Sequence, residues 1–365
     1  MIDVQDKPAE TGGRDRLTGG IDCEVHPRAP HTEDLLPFLD AHWSDVARHR
    51  SIVMRELTSF PPNAPLMRRP DWAHAGESGG TLESIRAEVL DRWALEAAIL
   101  TPLFGGAMMH DAFLGTALCR AHNDWIAGEW LSVEPRLRGS IVVHLARPED
   151  AAAEIDRLGG DARFVQIILP LQTEIPLGRS VHKPIFEAAV RHDLPIAIHA
   201  GSTFRNPPSQ AGFYSTFSED YAGQIATFTA QLGSLISEGI FAEYPDLKIV
   251  LLESGVTWLP AFMWRFSKDW RGVRSEVPWV DRSPADLIRH HVRLTTQPFD
   301  APADAAAEIV GQLRSDNMLM FGSDYPHWHF DGDDAIPAGI PEKLHASMLS
   351  RVPAETYPRL KGGLT

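Results

Sequence analysis

Glu24 and His26 stand two apart in the segment IDCEVHP. On an extended strand that spacing puts both side chains on one face, where a carboxylate and an imidazole can chelate one cation. Taken alone, the pair suits any half-polar strand equally well. His199 ends LPIAIH, where a single imidazole also reads as a hydrogen-bonded structural residue, and Asp324 ends MLMFGSD before Tyr-Pro, where an aspartate also reads as a turn cap. Their coincidence changes the reading. Two imidazoles and two carboxylates at the ends of separate apolar segments form the nitrogen and oxygen donor set of zinc, manganese or iron. Glu253, in LLESG, and Gln297 end two further segments of the same kind.

Something must bring those ends together. Eight short apolar runs, at 21–26, 97–101, 139–144, 164–169, 195–199, 249–253, 292–297 and 318–324, are bounded by turn residues and read as strands. Between most of them, 82–93, 112–133, 148–158, 181–192, 217–241, 258–270 and 303–313 carry apolar residues at helical spacing. Pro148 followed by Glu149 and Asp150 suits a first helical turn. The strands are continuous rather than alternating, as in a parallel sheet covered on both faces. Eight such units predict an α/β fold, a (β/α)8 TIM barrel, and a barrel gathers every strand end at one mouth. An open doubly wound sheet would want a Gly-rich turn after the first strand, and none follows 21–26. Two long connections, 27–81 and 201–216, follow strands and are expected as loop insertions over the C-terminal face, as a lid, a surface excursion or an oligomer contact.

The chain has 365 residues, 44% of them hydrophobic, and is divided here into a loose N-terminal lead, 1–18, and a single barrel domain, 19–365. A net charge of −15 excludes nucleic acid and anionic membrane as general partners, although arginines such as Arg55, Arg68, Arg265 or Arg293 could still serve a small carboxylate in a cleft. The only cysteines, Cys23 and Cys119, are too few for a disulfide framework, and the polar lead lacks the apolar core of a signal peptide. A soluble cytoplasmic protein is expected. A homodimer or higher oligomer is the expected assembly.

The chain resembles the amidohydrolase superfamily, in particular the amidohydrolase-related group that includes metal-dependent aromatic-acid decarboxylases and hydrolases. The resemblance runs through IDCEVHP, RRPDWAHAGESGG, LDRWALEAAIL, LPIAIHAG, YPDLKIVLLESGVTWLP, RLTTQP and MFGSDYPHW, nearly the whole length. It implies Glu24, His26, His199 and Asp324 as ligands of one divalent metal, zinc foremost with manganese or iron as alternatives, and Asp324 as a handler of protons. The group's sixth strand ends in a histidine, whereas this chain has Glu253. A carboxylate is no equivalent proton donor unless its pKa is raised. Glu253 is therefore expected as a catalytic acid/base, as a bridge to a second metal, or as a structural carboxylate fixed by Arg265. Gln166 stands where related two-metal enzymes carry a lysine, so a carbamate bridge is not expected.

Trp258, His327, Trp328, Arg265 and His74 are the expected substrate contacts; His327 and His329 are also candidates for a proton relay or a second metal. The expected function is hydrolysis or decarboxylation of a small, carboxylate-bearing molecule. Two alternatives stand beside it: an iron-containing dinuclear oxygenase with Glu253 as an extra ligand, and a catalytically silent metal-binding subunit paired with a homologous chain in a hetero-oligomer.

Overall fold

Every apolar run singled out above forms a strand. The computed structural model describes residues 19–53, 80–201, 212–327 and 335–362. In it β1 (Ile21–Val25), β2 (Ala97–Leu100), β3 (Leu137–Val142), β4 (Phe164–Pro170), β5 (Ile196–His199), β6 (Ile249–Leu252), β7 (Val292–Thr295) and β8 (Leu319–Met320) pair in chain order, all parallel. Every strand residue is buried, because helices cover the outside of the sheet while side chains fill its inside. The chain beyond β8 then runs beside β1: Cys23 donates its N–H to the Phe321 carbonyl at 2.9 Å, Asp324 to Glu24 at 3.0 Å and His26 to Tyr325 at 2.7 Å. These bonds close the ring. β8 is shorter than its apolar run because regular pairing stops after Met320, and the backbone turns left-handed at Asp324, with φ 54°.

The outer helices are α1 (Thr32–Leu35), α2 (Ala41–His49), α3 (Leu82–Ile85), α4 (Ala112–Ile126), α5 (Pro148–Leu158), α6 (Lys183–Arg191), α7 (Phe217–Ser237), α8 (Ile240–Glu243), α9 (Trp258–Val273), α10 (Pro284–His291), α11 (Ala306–Gln312) and α12 (Val352–Thr356). α5 begins on Pro148 with Glu149 and Asp150 in its first turn. α7 opens with a capping box, in which the Thr216 hydroxyl accepts from the Glu219 N–H and the Glu219 carboxylate accepts from Thr216 in return, each at 3.2 Å. Four helices went unforeseen. α1 and α2 lie in the connection expected as a loop, and α10, capped by Ser283 with Pro284 in its first turn, and α12 are too short for their periodicity to stand out. The lead 1–18, residues 54–79 of the first long connection and residues 202–211 of the second lie outside the described residues.

The face opposite the mouth is closed by the C-terminal segment. Arg359 donates to the carbonyls of Gly159, Asp161, Phe164 and His192 at 2.7 to 3.2 Å. Arg138 donates to Pro135 and Leu137, and Arg293, near the start of β7, donates to the Val292 carbonyl at 2.9 Å. Arg293 therefore sits on this floor and not in a cleft at the mouth, correcting the expectation that it could take a carboxylate there. Inside the barrel Tyr357 donates to Gln166 at 2.9 Å, and Gln166 donates to Ser140 at 2.9 Å.

Candidate metal centre

Four strand ends meet as the barrel geometry requires. Glu24 and His26 project from β1 and its exit, His199 from the end of β5, and Glu253 and Asp324 follow β6 and β8. Glu253 and Asp324 both adopt φ 54°, a region that costs a non-glycine residue about 1 kcal/mol or more. Three other such residues, Ala94, Asp193 and Arg314, sit in turns that lead from a helix to the next strand. At Glu253 and Asp324 the left-handed turn instead swings a carboxylate over the mouth. Gly322, just before the turn at Asp324, leaves room for Thr295 and Glu24, since a Cβ there would stand 2.9 Å from the first and 3.0 Å from the second. Asp22, unremarked in the sequence, joins the two ends of the chain by accepting from the N–H groups of Glu24 and Ser323, both at 3.0 Å.

The donor atoms face inward as lone pairs. His26 Nδ1 lies 2.7 Å from the Thr101 carbonyl and His199 Nδ1 2.5 Å from the Ala200 carbonyl. A carbonyl only accepts, so both Nδ1 atoms carry the proton and both Nε2 atoms are bare. Those Nε2 atoms and both oxygens of Glu24 are buried without a hydrogen-bond partner. His26 Nε2 stands 2.9 Å from Asp324 Oδ1 and 3.7 Å from Glu253 Oε1; His199 Nε2 stands 3.5 Å from Glu24 Oε1 and 3.3 Å from Glu253 Oε1. Donors held about 2.1 Å from a common ion lie about 3.0 Å apart at a right angle and about 3.6 Å apart at 120°. The observed separations span that range. Ligand-competent atoms of Glu24, His26, His199 and Glu253, and separately those of His26, Glu253, Asp324 and His327, lie within 4.8 Å of one another. The residues present therefore fit a divalent cation.

Charge is distributed unevenly across the cluster. Burial, then Asp324 and Glu253, push the Glu24 carboxyl well above the carboxylate range. Burial, then His327, hold His26 below its usual value. Glu253 is pushed up by burial and Asp324, yet contacts with His199 and His327 bring it down to about 2. His327 would be lowered by burial, but Asp324, with Nδ1 to Oδ1 2.6 Å, and Glu253, at 3.4 Å, raise it to about 10. Its ring stacks on His26 at 4.4 Å. In the metal-free cluster these shifts favour protonation of His327 and Glu24 over Glu253.

Above the cluster lies a pocket of about 330 Å³ walled by His199, Glu253 and His327 on one side and by Leu103, Phe217, Asp220, Tyr221 and Gln224 on the other. None of these wall residues is lysine or arginine. Gln224 donates to Asp220 at 3.1 Å, and both are buried. Sequence reasoning missed this α7 face, because polar residues one helical turn apart look like a solvated stripe. Trp258 stands behind the wall: it stacks on Phe228 of α7 at 6.2 Å and donates to the Ser254 carbonyl at 2.7 Å. Arg265 is corrected. Its side chain is 81% exposed on α9 and bonds to Asp269, so it neither fixes Glu253 nor reaches the pocket. His74, Trp328 and His329 lie outside the described residues, as do Arg55 and Arg68.

Known proteins agree with this architecture. A family model described as Amidohydrolase matches residues 21–359. A γ-resorcylate decarboxylase of Polaromonas sp. (strain JS666) is 25% identical over 277 residues, covering 72% of this chain and 82% of that protein. An amidohydrolase structure from Mycobacterium avium subsp. paratuberculosis K-10 superposes with a TM-score of 0.70 at 17% identity, over 93% of this chain and 99% of that one. A dihydroxybenzoic acid decarboxylase of Polaromonas sp. JS666, with bound manganese and the inhibitor 2-nitroresorcinol, gives 0.64 at 19% identity, over 93% and 97%. With eight parallel strands in chain order and a family match that spans nearly all of them, the chain belongs to the amidohydrolase family.

Proposed function

We propose that this protein is a divalent-metal-dependent decarboxylase of a small carboxylated aromatic acid, with Glu24, His26, His199 and Asp324 holding the ion. The observation that carries the reading is the set of buried, unpartnered lone pairs on Glu24, His26 and His199, which are costly to bury unless a cation meets them. The ion would supply Lewis-acid polarisation of a substrate oxygen and a positive charge for its carboxylate. Among the described residues, the pocket walls offer no lysine or arginine for that carboxylate.

Decarboxylation needs a proton at the ring carbon that loses CO2: the C–H bond forms, the C–C bond breaks, and its electrons return to the ring. His327 is the donor this geometry favours. It lines the pocket, and its Nδ1–H is held by Asp324 and faces Glu253, which keeps the ring oriented. Glu253 then serves to hold His327 and does not itself deliver the proton. The γ-resorcylate decarboxylase relative and the manganese-bearing neighbour support a carboxylated aromatic substrate and make manganese as reasonable a metal as zinc or iron. The test is metal analysis of protein purified without added metal, followed by CO2 release from γ-resorcylate after loading with manganese, zinc or iron(II). No CO2 from γ-resorcylate or from related hydroxybenzoates under any loading would sink the reading.

A second ion is the alternative loading, favoured by one observation: His26, Glu253, Asp324 and His327 form a second overlapping donor group. Two metals per chain would make His327 a ligand and remove it as the proton donor.

A further inference from the structure

The loop after β2 separates two hollows. Leu103 lines the metal-side pocket and Met108 lines a neighbouring cleft of about 400 Å³. The two side chains pack on each other as a pair apart from the main core, each 6% exposed. Leu103 and Met108 thus stand between the two hollows, and methionine is the most easily repacked apolar side chain. The cleft's walls include Met108, Leu145, Ile175, His144, Glu174 and His182. Ile175 is 44% exposed, so the cleft meets solvent there.

His182 gives the cleft a polar address. The ring is 4% exposed and its Nε2 lies 3.3 Å from the Ile175 carbonyl. That contact requires the proton on Nε2, which leaves Nδ1 an acceptor, and Nδ1 is buried without a partner. His144 is set against the same cleft by its bond with the Met109 carbonyl at 2.9 Å. Gly115 allows the ring to sit there, because a Cβ on α4 at that point would lie 2.4 Å from it.

We propose that this cleft is a subsite for an apolar arm of the substrate that ends in a hydroxyl, donated to His182 Nδ1, and that Leu103 and Met108 decide how far the arm extends from the metal-side pocket. The inference rests on the decarboxylase reading for the position of the substrate's carboxylate, but the cleft can be probed without it. The preferred substrate is then longer than a single ring.

Titration calorimetry with three probes tests this. Para-ethylphenol has no carboxylate and reads the cleft alone, with or without metal. Its affinity should fall about fivefold in His182→Phe and further in Met108→Trp, which fills the cleft. A biphenylcarboxylate with a para hydroxyl on its distal ring should bind metal-loaded enzyme roughly tenfold more tightly than benzoate, and that advantage should vanish in Met108→Trp while benzoate is unaffected. Leu103→Ala should widen the advantage. If para-ethylphenol binds wild type, His182→Phe and Met108→Trp alike, the subsite is overturned. If benzoate binds as well without metal as with it, the reading of the metal centre fails while the subsite stands.

Discussion

Arg138 near the floor of the barrel and Glu24 at its mouth are both ionisable and both buried, with 5% and 0% exposure. Arg138 gives hydrogen bonds to two carbonyls, and its neighbour on the floor, Arg359, gives them to four. Glu24 has none, and the imidazole nitrogens facing it are equally unsatisfied. At one end charge is spent on holding backbone together. At the other the polar atoms are left without partners, as expected where the proposed cation would complete them. The barrel thus assigns stability to one face and reactivity to the other.

Removing a mouth residue should abolish function with little effect on the fold. His199→Ala and Asp324→Asn are each expected to lower turnover on the order of a thousandfold and to reduce bound metal, read by element analysis, while the circular dichroism spectrum is unchanged. On the floor the pattern reverses. Arg359→Ala should destabilise the protein by roughly 3 kcal/mol in urea melts, because four carbonyls lose their donor, with kcat nearly intact. The sharpest contrast is Glu24→Gln in metal-free protein. Burial, Asp324 and Glu253 oppose ionisation of this carboxyl in the folded protein while the unfolded chain ionises it freely at neutral pH, so the amide should raise stability by about 1 kcal/mol even as metal affinity collapses. A loss of stability as large as that of Arg359→Ala would break the comparison.

The smallest expected effect lies in the pH dependence of the floor. Burial holds His291, whose Nδ1 donates to the Leu247 carbonyl at 2.7 Å, down to about 4 from its usual 6.5. Between those values the unfolded chain takes up a proton that the folded chain refuses, so His291's contribution to stability is complete above pH 6.5 and is lost as pH falls toward 4. His291→Gln keeps a donor for Leu247 and should flatten that part of the stability profile. An unchanged slope would mean that other groups set it.

Much of this was legible because period and type coincide. Continuous apolar runs announced the parallel strands, and Glu24 and His26 share a face by simple alternation. His199 and Asp324 were visible as polar residues ending apolar strands. Arg265 was misread because distance along the chain says nothing of azimuth: it points outward from α9 while Trp258, one helix start away, points in. Asp220 and Gln224 were missed for the converse reason, since only the capped course of α7 across the mouth turns that polar stripe inward. The role of Glu253 was legible only as an anomaly, because its partner His327 arrives from another strand.

The carboxylate of Asp22 receives N–H groups from Glu24 and from Ser323, a residue 301 positions away. During synthesis the first half of the donor set emerges long before the second, and a ribosome must deliver the chain past His327 before the centre exists at all. Contacts so distant in sequence also form late in folding. On the proposed ligand set, metal capture is therefore a late event in the life of each molecule, and a chain stalled before its eighth strand would carry Glu24, His26 and His199 without Asp324.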